Sequence, residues 1–504
     1  MRLPRRVTAL SASLALGLLG GHGGTATAQS APAPRPLQWH ACPLPDAPPE
    51  LQCASIQVPI DYARPRSGTT TVTVDRLRAT DPAARIGSLV FDPGGPGGSG
   101  TEIVYAESLG IPLFTPAVRR HFDVIGLDPR GVGLSSPVLC DPGVLNLHLS
   151  LFPQDRHAFR DLRRADRELG RSCRERTGRV VEHVDAASAA RDIEALRAAL
   201  QEGPLNYLGL SYGSQLGSTY AAMYPDRIRA MVLDGALIHS AGPVQLFTDE
   251  VRAYEDSLVR FARWCASTTA CVLHGRDVLA LFDRLVRRAD RSPIPAAGCA
   301  ENQCRPAVTG EDIRFAAQDL LLFPRPIPVI APEGWNDLAL ALQAAEQGDT
   351  TAFSPPVVTS PDQATAAQLA IECLDWPEPV HNLGGLEALH RLGERLAPHT
   401  GGASQSWTIL AGCLRWPAKV VNPPAPLHVT GTPPVLIVNA THDPSTPYVW
   451  AQRLHREIVR SVLVTRKGDG HTSYLLSGAS QTRDAIDRYL VDPTAHRTDV
   501  VYSS

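Results

Sequence analysis

The 504-residue chain carries 48 Lys plus Arg against 51 Asp plus Glu, a net charge of −3, and is 43% hydrophobic and 20% charged. These values describe an ordinary globular protein long enough for one large domain or two. They argue against a nucleic-acid partner, and no basic run interleaved with aromatics occurs in the sequence.

The N-terminus reads as a secretion signal. Arg2, Arg5 and Arg6 form a positive start, Ala9 to Gly20 is apolar but too short to span a bilayer, and Ala26-Thr27-Ala28 is an A-x-A cleavage site. Residues 1–28 are therefore expected to be a signal peptide. They leave a secreted or cell-envelope chain from Gln29 with no stable membrane association. Ten cysteines suit such a compartment. Pairing each with its neighbour predicts Cys42–Cys53, Cys140–Cys173, Cys265–Cys271, Cys299–Cys304 and Cys373–Cys413. Without a Cys-x-x-Cys, a zinc or redox site has no support, and no metal or cofactor is expected.

Residues 29–50 are rich in proline and are expected to wrap the surface. Ala54 to Asp61 and Thr69 to Leu77 alternate as strands do, about a turn at Arg64 to Gly68. Strands follow at Gly87 to Phe91 and Phe122 to Leu127, then helices over 155–177 and 186–201. Leu205 to Gly209 reads as a buried strand, Tyr212 to Met223 as a helix, and Arg229 to Asp234 as the sixth strand. From about 240 to 425 the strand pattern gives way to amphipathic stretches near 246–264, 275–289, 311–322, 333–347 and 384–396. Strands return at Pro434 to Val438 and Ser461 to Thr465, and a helix covers about 479–490. Eight strands alternating with helices predict a mostly parallel sheet covered on both faces, with a helical insertion between the sixth and seventh strands.

Between the fifth strand and its helix stands Gly209-Leu210-Ser211-Tyr212-Gly213, a G-x-S-x-G. In a nucleophile elbow the serine sits on a strained strand-to-helix turn, and glycines two residues to either side relieve clashes. A serine hydroxyl needs a base and a group that orients the base. In open parallel sheets such groups gather beyond the carboxyl ends of strands. Asp443 lies on the loop leaving the seventh strand, and His471 on a short glycine-bearing loop after the eighth. The order Ser211, Asp443, His471 suits this strand order. Asp92-Pro93-Gly94-Gly95-Pro96-Gly97-Gly98-Ser99-Gly100, after the third strand, lacks the Gly-Lys-Ser/Thr of a phosphate loop. It suits an oxyanion hole built from the N–H of Gly95, or Gly94, with that of Tyr212.

Pro93 to Gly100, Asp128 to Gly133, Gly209 to Gly217, Tyr224 to Arg227, Leu233 to Gly235 and Thr441 to Pro447 occur in an order that resembles secreted tripeptidyl aminopeptidases and their relatives. Those are α/β-hydrolases akin to proline iminopeptidases. The resemblance runs from about Trp39 to Leu490. It implies an α/β-hydrolase domain over 29–240 and 426–504, a helical cap over 241–425, and release of di- or tripeptides from free peptide N-termini. By motif position it assigns nucleophile, acid and base to Ser211, Asp443 and His471. Proline iminopeptidases usually carry His where this chain has Pro93, a residue the tripeptidyl branch often lacks, and the tripeptidyl branch also contains carboxylesterases.

An exopeptidase must hold a cationic α-amine, which calls for a carboxylate. Glu372 and Asp375, beside Trp376 and Cys373 in the insertion, are the candidates. Peptides are the expected partners of a monomeric enzyme. The alternatives are a carboxylesterase acting on short acyl esters, and an inactive exported binding protein on the same fold.

Overall fold

Strands covered on both faces must be apolar at successive positions, and Gly87–Asp92, Phe122–Leu127 and Leu205–Leu210 are buried at every residue. The computed structural model describes residues 36–299, 303–327, 331–361, 364–476 and 479–503. The signal-peptide reading of residues 1–28 lies outside the described residues. In chain order the strands are β1 (His40–Ala41), β2 (Leu51–Pro59), β3 (Thr69–Leu77), β4 (Gly87–Asp92), β5 (Phe122–Leu127), β6 (Leu205–Leu210), β7 (Ile228–Asp234), β8 (Ile294–Pro295), β9 (Ala307–Val308), β10 (Val435–His442), β11 (Ser461–Asp469) and β12 (Val500–Ser503).

Ten of these, as described, form one sheet in the order β1-β2-β3-β5-β4-β6-β7-β10-β11-β12. The pairs from β1 to β5 are antiparallel, and every pair from β5 onward is parallel. Asp92 stands opposite Gly209, Leu210 opposite Asp234, and Asp234 opposite Val438, so the carboxyl ends of β4, β6, β7 and β10 meet along one edge.

Successive side chains of a strand face opposite ways. Val90, Tyr207, Met231 and Ile437 point into one core, with Ile193, Leu216 and Tyr220 of the helices Ala186–Leu200 and Tyr212–Met223. Leu89, Leu208, Val232 and Leu436 point into the other, with Val104, Val118 and Ile486. Between β7 and β10 the chain makes seven α-helices among the described residues and the small β8–β9 ribbon. Part of this insertion has an apolar centre of its own, including Tyr254, Phe261, Phe282 and Leu338. The protein has the α/β-hydrolase fold with a helical cap.

All five predicted disulfides are formed, and no free cysteine remains among the described residues. Such a set suits an oxidising compartment. No described helix is long and apolar enough to cross a membrane. The expected count of eight strands becomes ten because β1 and β12 extend the two edges. They span 2 and 4 residues, too short to show a period.

Candidate active site

Ser211 occupies the turn between β6 and the helix Tyr212–Met223 with φ 55° and ψ −121°. A non-glycine residue holds such a conformation only where its surroundings fix it. Here the Ser211 N–H donates to Asp234 O at 2.9 Å, and Ser214 Oγ donates to Ser211 O at 2.5 Å. The flanking glycines are required by close approach. A Cβ at Gly209 would lie 2.3 Å from Gly213 O, and one at Gly213 would lie 2.7 Å from Asp92 O.

The loop after β4 folds over this turn. Gly94 N–H donates to the Asp92 carboxylate at 2.8 Å, which leaves Gly95 as the available donor of the two glycines. The N–H groups of Gly95 and Tyr212 make no hydrogen bond among the described residues. Gly95 and Ser211 line one cavity of about 40 Å³.

Asp443 and His471 are brought together. His471 Nδ1 lies 2.9 Å from Asp443 Oδ2 and 3.0 Å from Oδ1, and both side chains are buried. Asp443 also accepts the N–H of Ser445 (2.9 Å) and of Thr446 (2.8 Å), and the Thr446 hydroxyl at 2.9 Å. Burial pushes this carboxyl up, but the charge and hydrogen bond of His471 outweigh it, and Asp443 ends below the usual carboxylate range. For His471 burial pushes the imidazole down. The Asp443 charge and hydrogen bond more than reverse this, leaving it above its ordinary value. The His471 ring edge lies against Gly235, next to the Asp234 carbonyl that anchors Ser211. No hydrogen bond joins the Ser211 hydroxyl to His471 among the described residues.

The His471 loop is built on Arg466, a buried guanidinium at the end of β11. It donates to Asp469 O (2.8 Å), Gly470 O (3.0 Å), Thr472 O (3.0 Å) and Ser473 Oγ (3.0 Å). From above, the His471 N–H donates to Leu322 O of the insertion at 2.7 Å.

The two acids expected in the insertion part company. Glu372 lines the cavity with Ser211, and its Oε1 accepts Gln368 Nε2 at 3.0 Å. Asp375 does not line it. At the end of the same helix it turns toward Asn422 Nδ2 (2.9 Å), Gln215 Nε2 (3.1 Å) and the Ala186 N–H (3.2 Å). Those three donors occupy a fully buried carboxyl. A second carboxyl in the cavity, Glu250 on the insertion helix Pro243–Ser267, was not expected. It accepts Gln318 Nε2 at 2.6 Å and the Ser406 N–H at 2.8 Å. Its signal was a carboxylate among Leu246, Phe247, Val251 and Tyr254 on a buried helical face. Burial pushes Glu250 up to about 7. Burial, opposed by the Gln368 bond and reinforced by the Glu250 charge, pushes Glu372 up to about 8. Trp376 and Trp450 wall the cavity, whereas Trp407 is packed in the insertion.

Residues 87–312 match the family model described as alpha/beta hydrolase fold, and residues 398–502 match the one described as TAP-like protein. The chain is 30% identical to serine protease Hip1 of Mycobacterium tuberculosis over 98% of each chain. It is 30% identical to tripeptidyl aminopeptidase of Streptomyces lividans over 95% of this chain and 88% of that one. The chain belongs to the α/β-hydrolases of the tripeptidyl aminopeptidase and Hip1 type. This α/β-hydrolase is also 28% identical to carboxylesterase B of Mycobacterium tuberculosis, over 89% of its own length and 86% of the relative's. It is a serine hydrolase of a group that spans peptidases and esterases.

Proposed function

We propose that this serine hydrolase is an exported exopeptidase that releases short peptides from free N-termini. Ser211 Oγ attacks the scissile carbonyl and passes its proton to His471 Nε2, while Asp443 holds the Nδ1–H and stabilises the imidazolium. The N–H groups of Gly95 and Tyr212 receive the oxyanion. As the C–N bond breaks, His471 returns the proton to the leaving amine. Water then hydrolyses the acyl–Ser211 ester by the same steps in reverse. Glu372, with Glu250 beside it, takes the substrate ammonium.

The observation that carries this reading is the presence of Ser211, Glu250 and Glu372 on one cavity. A neutral ester offers a buried carboxylate no partner, whereas an α-ammonium does. The test compares tripeptidyl p-nitroanilides with free and acylated N-termini, alongside p-nitrophenyl butyrate. The expected result is cleavage of the free tripeptide that acylation abolishes and that Ser211→Ala loses while still folding. Ester cleavage alone overturns it. The second reading, a carboxylesterase for short acyl groups, is favoured by the small volume at Ser211, about 40 Å³.

A further inference from the structure

Asp234, the last residue of β7, joins the Ser211 turn to the His471 loop. Its main chain serves the first and its side chain the second. The Asp234 carbonyl accepts the Ser211 N–H at 2.9 Å. Its Oδ2 accepts the N–H groups of Ser473 (2.8 Å) and Tyr474 (2.7 Å), the second and third residues after His471. The next residue, Gly235, donates to Val438 O at 2.9 Å, which ties the junction to β10. A Cβ at Gly235 would lie 3.2 Å from His471 Cε1, 3.0 Å from Thr472 Cγ2 and 3.2 Å from Thr446 Oγ1. The end of β7 is therefore the floor on which the His471 loop rests.

That loop needs holding. Thr472, between His471 and Ser473, has φ 57°. A β-branched residue keeps this left-handed conformation only where its surroundings impose it. Two buried charges do so here. Arg466 donates to the carbonyls of Asp469, Gly470 and Thr472, and Asp234 accepts the N–H groups that follow Thr472. A cation thus grips the carbonyls of the turn and an anion grips its N–H groups.

Asp234 is fully buried, and its Oδ1 makes no hydrogen bond among the described residues. A buried carboxylate with one oxygen unsatisfied is costly to keep, and an amide oxygen would accept the same two N–H groups. What the carboxylate adds is charge. Burial pushes Asp234 up to about 6, opposed by the Ser473 and Tyr474 bonds and by the charges of Arg466 and His471. For His471 burial pushes the imidazole down, and the Asp443 charge and bond, then the charges of Asp234 and Glu250, push it up beyond its ordinary value. Asp234 is therefore ionised where His471 titrates.

We propose that Asp234 is a positioning residue for His471. Its carboxylate fixes the loop that presents the imidazole to Ser211, and its charge supports the imidazolium that forms when Ser211 gives up its proton. The inference rests on the reading of Ser211 as nucleophile and His471 as its base. It is the same for a peptide and for an ester.

The test uses the full chain and a fluorophosphonate probe, so that no natural substrate is needed. Ser211 Oγ bonds to phosphorus, fluoride leaves, and the hydroxyl proton passes to His471. The second-order rate of labelling is followed across pH, and its acidic limb reports the base of the free enzyme. Asp234→Asn keeps an oxygen for the Ser473 and Tyr474 N–H groups and loses the charge. Its limb is expected to move to lower pH by about half a unit, less than a directly paired acid gives. The sign follows because an imidazole without that anion nearby holds its proton less tightly. Asp234→Ala loses the loop's anchor as well, and its plateau rate is expected to fall about 10²-fold, the cost of a misplaced group. A limb that Asp234→Asn leaves in place overturns the assignment, since a purely structural role predicts no shift. A plateau that Asp234→Ala keeps within about threefold of wild type overturns it too. Where Asp234→Ala does not fold, the limb of Asp234→Asn decides alone. Peptide mapping of labelled wild type separates the two failures. Label on Ser211 with an unmoved limb removes Asp234 only, and absence of label from Ser211 removes the reading on which it rests.

Discussion

The Asp256 carboxylate lies 2.7 Å from His442 Nδ1, so a helix of the insertion grips the residue beside Asp443. One turn along that helix, Arg260 pairs with Asp469, two residues before His471, with Nη2 to Oδ2 at 3.1 Å. The cap therefore holds the loops of Asp443 and His471. The double variant Asp256→Asn, Arg260→Gln is expected to lower kcat about tenfold by letting the two loops shift. Stability is expected to fall by only about 1 kcal/mol, because both pairs are partly exposed. Steady-state kinetics alongside thermal unfolding check this; a large fall in Tm with kcat retained would show a purely structural clamp.

Asp443→Asn keeps the size of the side chain but presents the wrong partner to His471 Nδ1. It is expected to fold and to lose about 10⁴ in kcat, as loss of the orienting acid does elsewhere. Burst kinetics with an activated ester should show slowed acylation. A variant within tenfold of wild type would remove Asp443 from the mechanism.

Glu372 gives a pH dependence with a defined sign. Its carboxyl is pushed up to about 8 in the folded protein from 4.5. Between those values the unfolded chain binds fewer protons than the folded one, so stability falls as pH rises. Glu372→Gln is expected to abolish this slope, gaining on wild type by at most about 1.4 kcal/mol per pH unit between pH 4.5 and 8. Urea unfolding at pH 5 and pH 8 measures it. For catalysis, KM for a free tripeptide is expected to rise as pH falls below about 8, where the carboxyl protonates. That rise should be missing for an ester substrate.

Cys373 and Cys413 bridge the helix that carries Glu372 to the end of the helix that carries Ser406, across 40 residues. Removing both as Cys373→Ser and Cys413→Ser is expected to cost about 4 kcal/mol, the loop-closure value for that length. If Glu372 holds the substrate amine as proposed, KM for tripeptides should rise more than kcat falls, because the bridge anchors the helix of Glu372. Denaturant titration and kinetics report the two effects.

The parts legible in the sequence are those whose signal is local. Buried strands such as Val435–His442 declare themselves by unbroken apolar runs, here Val435 to Val438. Ser211 declares itself by the glycines that its turn demands, and Asp443 and His471 by their place after strands. Glu250 is hard to find because its partners, Gln318 and Ser406, are 68 and 156 residues away, and its one local signal is a carboxylate on an apolar helix face. Glu372 and Asp375 look equivalent in sequence. Only the packing of Asn422, Gln215 and Ala186 against Asp375 separates them. β1 and β12 are too short to show a period of their own, and their pairing with β2 and β11 is what marks them as strands.

The five disulfides join first cysteine to second, third to fourth, and so on to the end. No bridge encloses or crosses another. A chain threaded N-terminus first into an oxidising space presents each cysteine's correct mate as the next thiol to arrive. Each ring can close before a competitor emerges, so vectorial delivery alone selects one connectivity out of the 945 open to ten thiols. The same chain oxidised all at once from denaturant has no such guide and depends on reshuffling.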